Sequence, residues 1–132
     1  MTRIVTPQPI FQKTPNLRGT PLERRYYKWL HENCACCLTM QPEFDICHTG
    51  GLTEGKGMGR KAAIKTCLPL IRKLHLTEEA GRERFWEAVG IPDYLAWAER
   101  LFDLFETDQS PEDLLMDMHE RANLIEVARM MR

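Results

Sequence analysis

The segment between Cys34 and His75 constrains the fold most, because it separates two regions with helical patterns and has little periodicity of its own. It holds all five cysteines, two of the four histidines and most of the glycines. Weak periodicity with frequent turn residues is typical of loops and short strands. The segment therefore predicts a short strand or hairpin near Phe44–His48, a second short strand near Thr66–Leu70 and an irregular loop between them.

A helix over about residues 21–32 is predicted ahead of this segment. Thr20-Pro21-Leu22-Glu23 has the form of a capping box, with Thr20 as N-cap and Glu23 at the third helical position. Tyr26 and Leu30 then fall on one apolar face, and most cations fall on the other. Residues 1–19 contain three prolines without a sustained period, so we expect an extended N-terminal arm there.

The remainder of the chain is predicted to be helical. Thr77 can cap a helix over about residues 78–89, which Gly90 ends, and a second apolar pattern covers 93–106. Ser110-Pro111 opens a helix of about 20 residues. Its apolar stripe consists of Leu114, Met118, Ala122, Ile125 and Ala128.

These elements define an α+β fold, with a small hairpin-plus-helix core followed by a mainly helical C-terminal half. The expected organisation is an arm over 1–19, a core domain with flanking helices over 20–106 and a C-terminal helix over 107–132. Five cysteines without a hydrophobic signal segment indicate a reducing compartment. No apolar run approaches the roughly 18 residues that span a membrane. We therefore expect a cytoplasmic protein with no membrane contact.

The net charge of −1 conceals a division between two oppositely charged parts. Residues 1–75 carry 12 Lys and Arg against 5 Asp and Glu, a net +7, whereas residues 76–132 carry 6 against 14, a net −8. Cations that displace counterions from phosphates gain affinity for nucleic acid, which favours DNA as a partner. Alternatively, the two parts neutralise each other within the fold, or the acidic helices bind a protein.

Several side chains of the segment are candidate metal ligands. Cys34 and Cys37 have the CxxC spacing that lets two thiolates hold one zinc ion from a tight turn. A four-ligand zinc site needs a second such pair, which this chain lacks, so buried free thiols are the alternative. His75 and Glu79 lie four residues apart, which puts both on one helix face within reach of one cation.

His48 is the candidate general base of the segment. Histidine titrates near neutral pH and can accept a proton from water. The alternative role is that of a structural histidine with satisfied hydrogen bonds.

The loop Gly55–Lys61 combines three glycines with three cations. Glycine lets backbone N–H groups approach a phosphate, and the cations supply charge. It is not a Walker loop, because Lys61 is followed by Ala62 rather than by Ser or Thr. A turn with solubilising charges is the alternative to a phosphate site. The predicted nucleic-acid contacts are Lys56, Gly57, Gly59, Arg60 and Lys61.

The order of these motifs resembles the HNH-type (ββα-metal) nucleases, in particular the phage and prophage group of Ref-like recombination nucleases. The resemblance covers about residues 26–105. The motifs are CxxC, Asp-x-x-His, Gly-Lys-Gly-Met-Gly-Arg-Lys-Ala, Leu-Pro-Leu, a histidine and Phe-Trp-x-x-x-Gly-Ile. The resemblance implies a ββα-metal-like core, divalent-metal-dependent cleavage of DNA and, for a phage-encoded protein, location in a bacterial host cell.

The resemblance also implies individual roles. His48 matches the general base, while Cys47 stands where the family has a metal-ligating histidine. His75 matches a further family histidine, and Glu79 replaces the last one but can still bind a cation. The implied metal is Mg²⁺, Mn²⁺ or Zn²⁺, and a thiolate at Cys47 would favour zinc.

Three further positions depart from the family pattern. Ile71 and Leu74 replace the second pair of zinc cysteines, which leaves Cys34 and Cys37 as remnants of a structural zinc site or as half of a rearranged one. Ile64 replaces an aspartate.

Two functions are consistent with this pattern. The retained histidines and glycine loop favour an endonuclease. The departures favour an inactive relic that binds DNA or protein, as a regulator or inhibitor of a host factor.

Overall fold

The computed structural model describes residues 20–50 and 64–132. These residues form a two-stranded antiparallel hairpin and six helices, most of them in the C-terminal half. The predicted α+β class is confirmed. The predicted arm over 1–19 and the basic loop Gly55–Lys61 lie outside the described residues.

Helix α1 (Pro21–Asn33) begins where the capping box predicts. The Glu23 N–H donates to Thr20 Oγ1 at 3.1 Å, and the Thr20 N–H donates to Glu23 Oε1 at 2.7 Å. The Tyr26 side chain is fully buried and meets Phe102 edge-on, with ring centroids 4.9 Å apart. Helix α1 is thus fixed both at its start and along its apolar face.

Two short strands, β1 (Asp45–His48) and β2 (Cys67–Leu70), form the antiparallel hairpin at the predicted positions. Strand β2 is buried throughout, whereas β1 buries fully only its third residue. The pairing continues beyond the strands, because Thr49 donates both its N–H, at 2.9 Å, and its hydroxyl, at 2.6 Å, to the Thr66 carbonyl. The end of β1 is therefore held firmly against β2.

Helix α2 (Arg72–Ala80) follows β2 directly and completes the hairpin-plus-helix order. The predicted start at Thr77 is wrong, since this residue lies inside α2 and its hydroxyl donates to the Lys73 carbonyl at 3.0 Å. A threonine hydroxyl can bond the preceding turn as well as cap a helix, so the residue type alone did not identify the start. The chain then bends at Gly81 into α3 (Arg82–Ala88).

Helix α4 (Tyr94–Glu106) agrees with the predicted pattern, but the single long C-terminal helix is wrong. The chain forms α5 (Glu112–Arg121) and α6 (Leu124–Met130) instead. Asn123 separates them: its N–H donates to the Val89 carbonyl at 2.8 Å, and its side-chain oxygen caps α6. The Asn123 N–H thus makes a tertiary hydrogen bond instead of the intrahelical one that a continuous helix would require.

The break also changes which side chains are buried. The predicted stripe holds through Leu114, Met118 and Ala122, which are buried. Beyond the break Ile125 is 80% exposed, and Val127 takes its place in the core.

Gly90 ends α3 as predicted, with a φ of +89° that side chains other than glycine rarely adopt. A Cβ atom there would lie 3.4 Å from the Arg121 carbonyl oxygen and 3.7 Å from the Asn123 nitrogen. The small residue therefore lets the α5–α6 junction approach the end of α3.

The described residues share one cluster of buried apolar side chains, to which both strands and all six helices contribute. The cluster extends across the predicted boundary near residue 106. No helix within these residues has the length and apolar composition needed to cross a membrane.

Replacing Thr20 by alanine should lower the free energy of unfolding by about 1 kcal/mol, because the first turn of α1 loses an acceptor. Thr107→Ala is the control, since its exposed hydroxyl bonds only carbonyl oxygens at the end of α4 and its loss should cost less than about 0.5 kcal/mol. Urea denaturation measures both. Equal stability of Thr20→Ala and the parent protein would contradict a stabilising capping box.

Candidate functional site

His48, the predicted general base, ends β1 and is half-buried. Burial is the main cause that lowers its pKa below the ordinary histidine value, and the charge of nearby His75 lowers it further, while Glu23 opposes the change. The imidazole is therefore neutral near pH 7.

Tyr27 of α1 is the hydrogen-bond partner of His48, and sequence analysis did not identify it. Its Oη lies 2.9 Å from His48 Nε2. The two rings meet edge-on, at 89° with centroids 6.0 Å apart. The only sequence signal was its place beside Tyr26 at the edge of an apolar helix face. That pattern predicts a half-buried tyrosine but does not indicate a partner on a distant strand.

His75, in the first turn of α2, lies between two carboxylates. Its Nδ1 is 3.1 Å from Asp45 Oδ2, and its Nε2 is 3.2 Å from Glu79 Oε2. Arg72 Nε approaches the same Asp45 oxygen at 3.5 Å. Both ring nitrogens of His75 thus face carboxylate oxygens, and the contact with Asp45 links α2 to β1.

Cys47, the third predicted metal ligand, lies near Glu78 rather than in the group formed by Asp45, His75 and Glu79. Its thiol is fully buried near the Glu78 carboxylate, and burial together with that carboxylate raises its pKa. Among residues 20–50 and 64–132, no three His, Cys, Asp or Glu side chains converge as metal ligands do. The structure brings His75 and Glu79 together without Cys47, so these three do not fit one shared ion.

The other cysteines also lie in the core as free thiols. Cys37 is fully buried, and burial raises the pKa of the half-buried Cys34 to about 12. Burial likewise raises the pKa of Cys67 to about 12. Cys37 thus lies within the core and Cys34 packs against it, as the alternative of core thiols expects.

Glu78 is a second residue that sequence analysis did not identify, and its carboxylate is fully buried. It accepts from Arg82 Nε at 2.7 Å and from Trp86 Nε1 at 3.0 Å. Its hydrogen bond is also the main cause that raises the pKa of Arg82. The sequence does contain the Glu78–Arg82 spacing, but such pairs are usually exposed on one helix, and here the pair links α2 to α3.

The predicted phosphate-binding residues fall between β1 and β2, outside the described residues. They are Lys56, Gly57, Gly59, Arg60 and Lys61. The chain enters this part just after His48 and leaves it at the fully buried Ile64. Their predicted role stays a prediction.

Comparison of the chain with known protein families, curated proteins and solved structures finds no match. The structure itself defines an α+β protein with a hairpin-plus-helix unit that carries two histidines. The resemblance to HNH-type nucleases therefore depends on the motifs in this one sequence.

Replacing Glu78 by alanine should lower the free energy of unfolding by about 3 kcal/mol, because the buried Trp86 N–H would lose the acceptor that it has in the described structure. Glu87→Ala, an exposed carboxylate of α3, is the control and should change it by less than about 0.5 kcal/mol. Urea denaturation followed by tryptophan fluorescence measures both variants. A loss as small as that of Glu87→Ala would contradict a stabilising role for Glu78.

The lowered pKa of His48 predicts a loss of stability in acid. As the pH falls below about 6.5, the unfolded chain binds a proton on this residue more readily than the folded chain does. The free energy of unfolding should therefore decrease with falling pH, and His48→Gln should reduce that decrease. His31→Gln, at an exposed histidine of α1, is the control for histidine loss. Identical pH profiles of His48→Gln and the parent protein would contradict the prediction.

Proposed function

We propose that this chain is an HNH-like, DNA-associated protein of phage origin. The observation that carries the proposal is the position of two histidines on the hairpin-plus-helix unit. His48 ends the first strand, His75 lies in the first turn of the following helix, and His75 is near enough to lower the pKa of His48. These are the two histidines that the resemblance implies as site residues.

The charge distribution supports DNA as the ligand. The part of the chain that forms α1 and the hairpin belongs to the half with a net charge of +7. Three of its cations, Lys56, Arg60 and Lys61, stand among glycines 8 to 13 residues after His48. Backbone N–H groups and cations together favour phosphate oxygens, so the DNA backbone is the proposed contact.

The geometry supports binding without cleavage best. Both nitrogens of His75 face carboxylates, Nε2 of His48 is bonded to Tyr27, and the Cys47 thiol is buried near Glu78. A general base needs a free lone pair, and a ligand set needs converging donors. A DNA-binding regulator therefore agrees with these contacts, and the acidic C-terminal helices are its candidate surface for a host protein.

A metal-dependent endonuclease is the second candidate function. It is favoured by the order of hairpin and helix and by the retention of His48 before a basic loop. In that function His48 would take a proton from the attacking water.

DNA binding should be strongly salt-dependent, and plasmid DNA should stay intact with Mg²⁺, Mn²⁺ or Zn²⁺. A triple alanine variant of Lys56, Arg60 and Lys61 should bind at least about tenfold more weakly, with a salt slope reduced by about one per lost phosphate contact. The matched control removes three cations from the exposed side of α1, Arg24, Arg25 and Lys28. Fluorescence anisotropy with a labelled duplex and gel analysis of a supercoiled plasmid measure the two outcomes.

The possible results separate the two functions. Plasmid cleavage that is lost in His48→Ala and retained in His31→Ala would establish the endonuclease instead. A folded protein that neither binds nor cleaves DNA would contradict the proposal as a whole.

A further inference from the structure

The contact between Tyr27 and His48 joins two rigidly held elements. Tyr27 lies on α1, which its capping box and buried face fix in place. His48 lies at the end of β1, directly before the double hydrogen bond from Thr49 to Thr66. The 2.9 Å distance between Oη and Nε2 is therefore set by the fold rather than by two free side chains.

The chemistry of the two groups determines which one donates. A neutral imidazole has one nitrogen that donates and one that accepts, and a phenol can do either. A phenol is a much stronger acid than a neutral imidazole N–H, and an imidazole nitrogen is a stronger base than a phenol oxygen. The stronger hydrogen bond therefore runs from Tyr27 O–H to His48 Nε2, which leaves the ring proton on Nδ1.

We propose that Tyr27 holds His48 as the Nδ1–H tautomer, so that His48 binds a DNA phosphate oxygen as a hydrogen-bond donor and does not activate water. Tyr27 is then a positioning residue, because it acts through His48. The proposal rests on the proposed DNA association, and it assigns His48 a contact within it. It also gives a chemical reason why a retained histidine need not imply cleavage.

The tautomer can be measured directly by NMR on ¹⁵N-histidine-labelled protein, at a pH where the ring is neutral. The parent protein should show a protonated Nδ1 and an unprotonated Nε2 at His48. Tyr27→Phe removes the hydroxyl but keeps the ring, and should shift His48 toward the Nε2–H form. Tyr26→Phe is the matched control, because the neighbouring hydroxyl has no hydrogen-bond partner in the described structure, and it should leave the His48 signals unchanged.

Two results would overturn the inference. One is an Nε2–H tautomer in the parent protein, a measurement that needs no variant to fold. The other is a folded Tyr27→Phe protein whose His48 tautomer equals that of the parent.

Titration with a short DNA duplex then tests the role of the tautomer. The His48 Nδ1–H signal should move on binding, and Tyr27→Phe should bind the duplex about fivefold more weakly, as expected for the loss of one hydrogen bond. Tyr26→Phe should bind like the parent protein. An Nδ1–H signal that stays unchanged at saturating duplex would overturn the phosphate contact while leaving DNA association intact. Absence of any duplex binding would instead contradict the proposed DNA association, and the tautomer result would still stand.

Discussion

The buried carboxylate of Glu78 is the interaction on which the arrangement of the hairpin and the following helices depends. A carboxylate without solvent contact is stable only when charged or polar donors surround it. Here Arg82 and Trp86 of α3 provide them. The same contacts join α2 to α3 across the bend at Gly81, while the contact between His75 and Asp45 holds α2 against the first strand. Apolar packing then fills the remaining space around this polar centre.

This arrangement determines what the two histidines can do. His75 precedes Glu78 by one turn of α2. The position of α2 places the His75 ring between Asp45 and Glu79. The thiol that the resemblance would assign to a metal is instead buried near the Glu78 carboxylate. His48 is held from the other side by α1. Each candidate catalytic group is thus occupied by a structural contact, while the unit as a whole keeps the order of strands and helix that the motifs imply.

The capping box and the strands could be predicted because the residues that determine them are close together in the sequence. The capping box at Thr20 and the two short strands needed only neighbouring residues, and they formed where expected. The break at Asn123 was not predictable, because it depends on a hydrogen bond to Val89, which is far away in sequence. The roles of Tyr27 and Glu78 at the site were not predictable either. Their partners lie on other elements, and the spacing of residues along one helix does not indicate such partners. The candidate histidines could be predicted from the sequence because they belong to sequence motifs, whose recognition does not require knowledge of tertiary contacts.

The central claim is that DNA meets the chain at the hairpin-plus-helix unit. Chemical-shift mapping of uniformly ¹⁵N-labelled protein during titration with a DNA duplex tests it most directly. The account predicts that the largest backbone shifts fall at His48, across residues 51–63 and at the start of α2, and that they diminish at high salt. Shifts confined to the acidic helices α4 and α5, or no shifts with a folded protein at low salt, would contradict it.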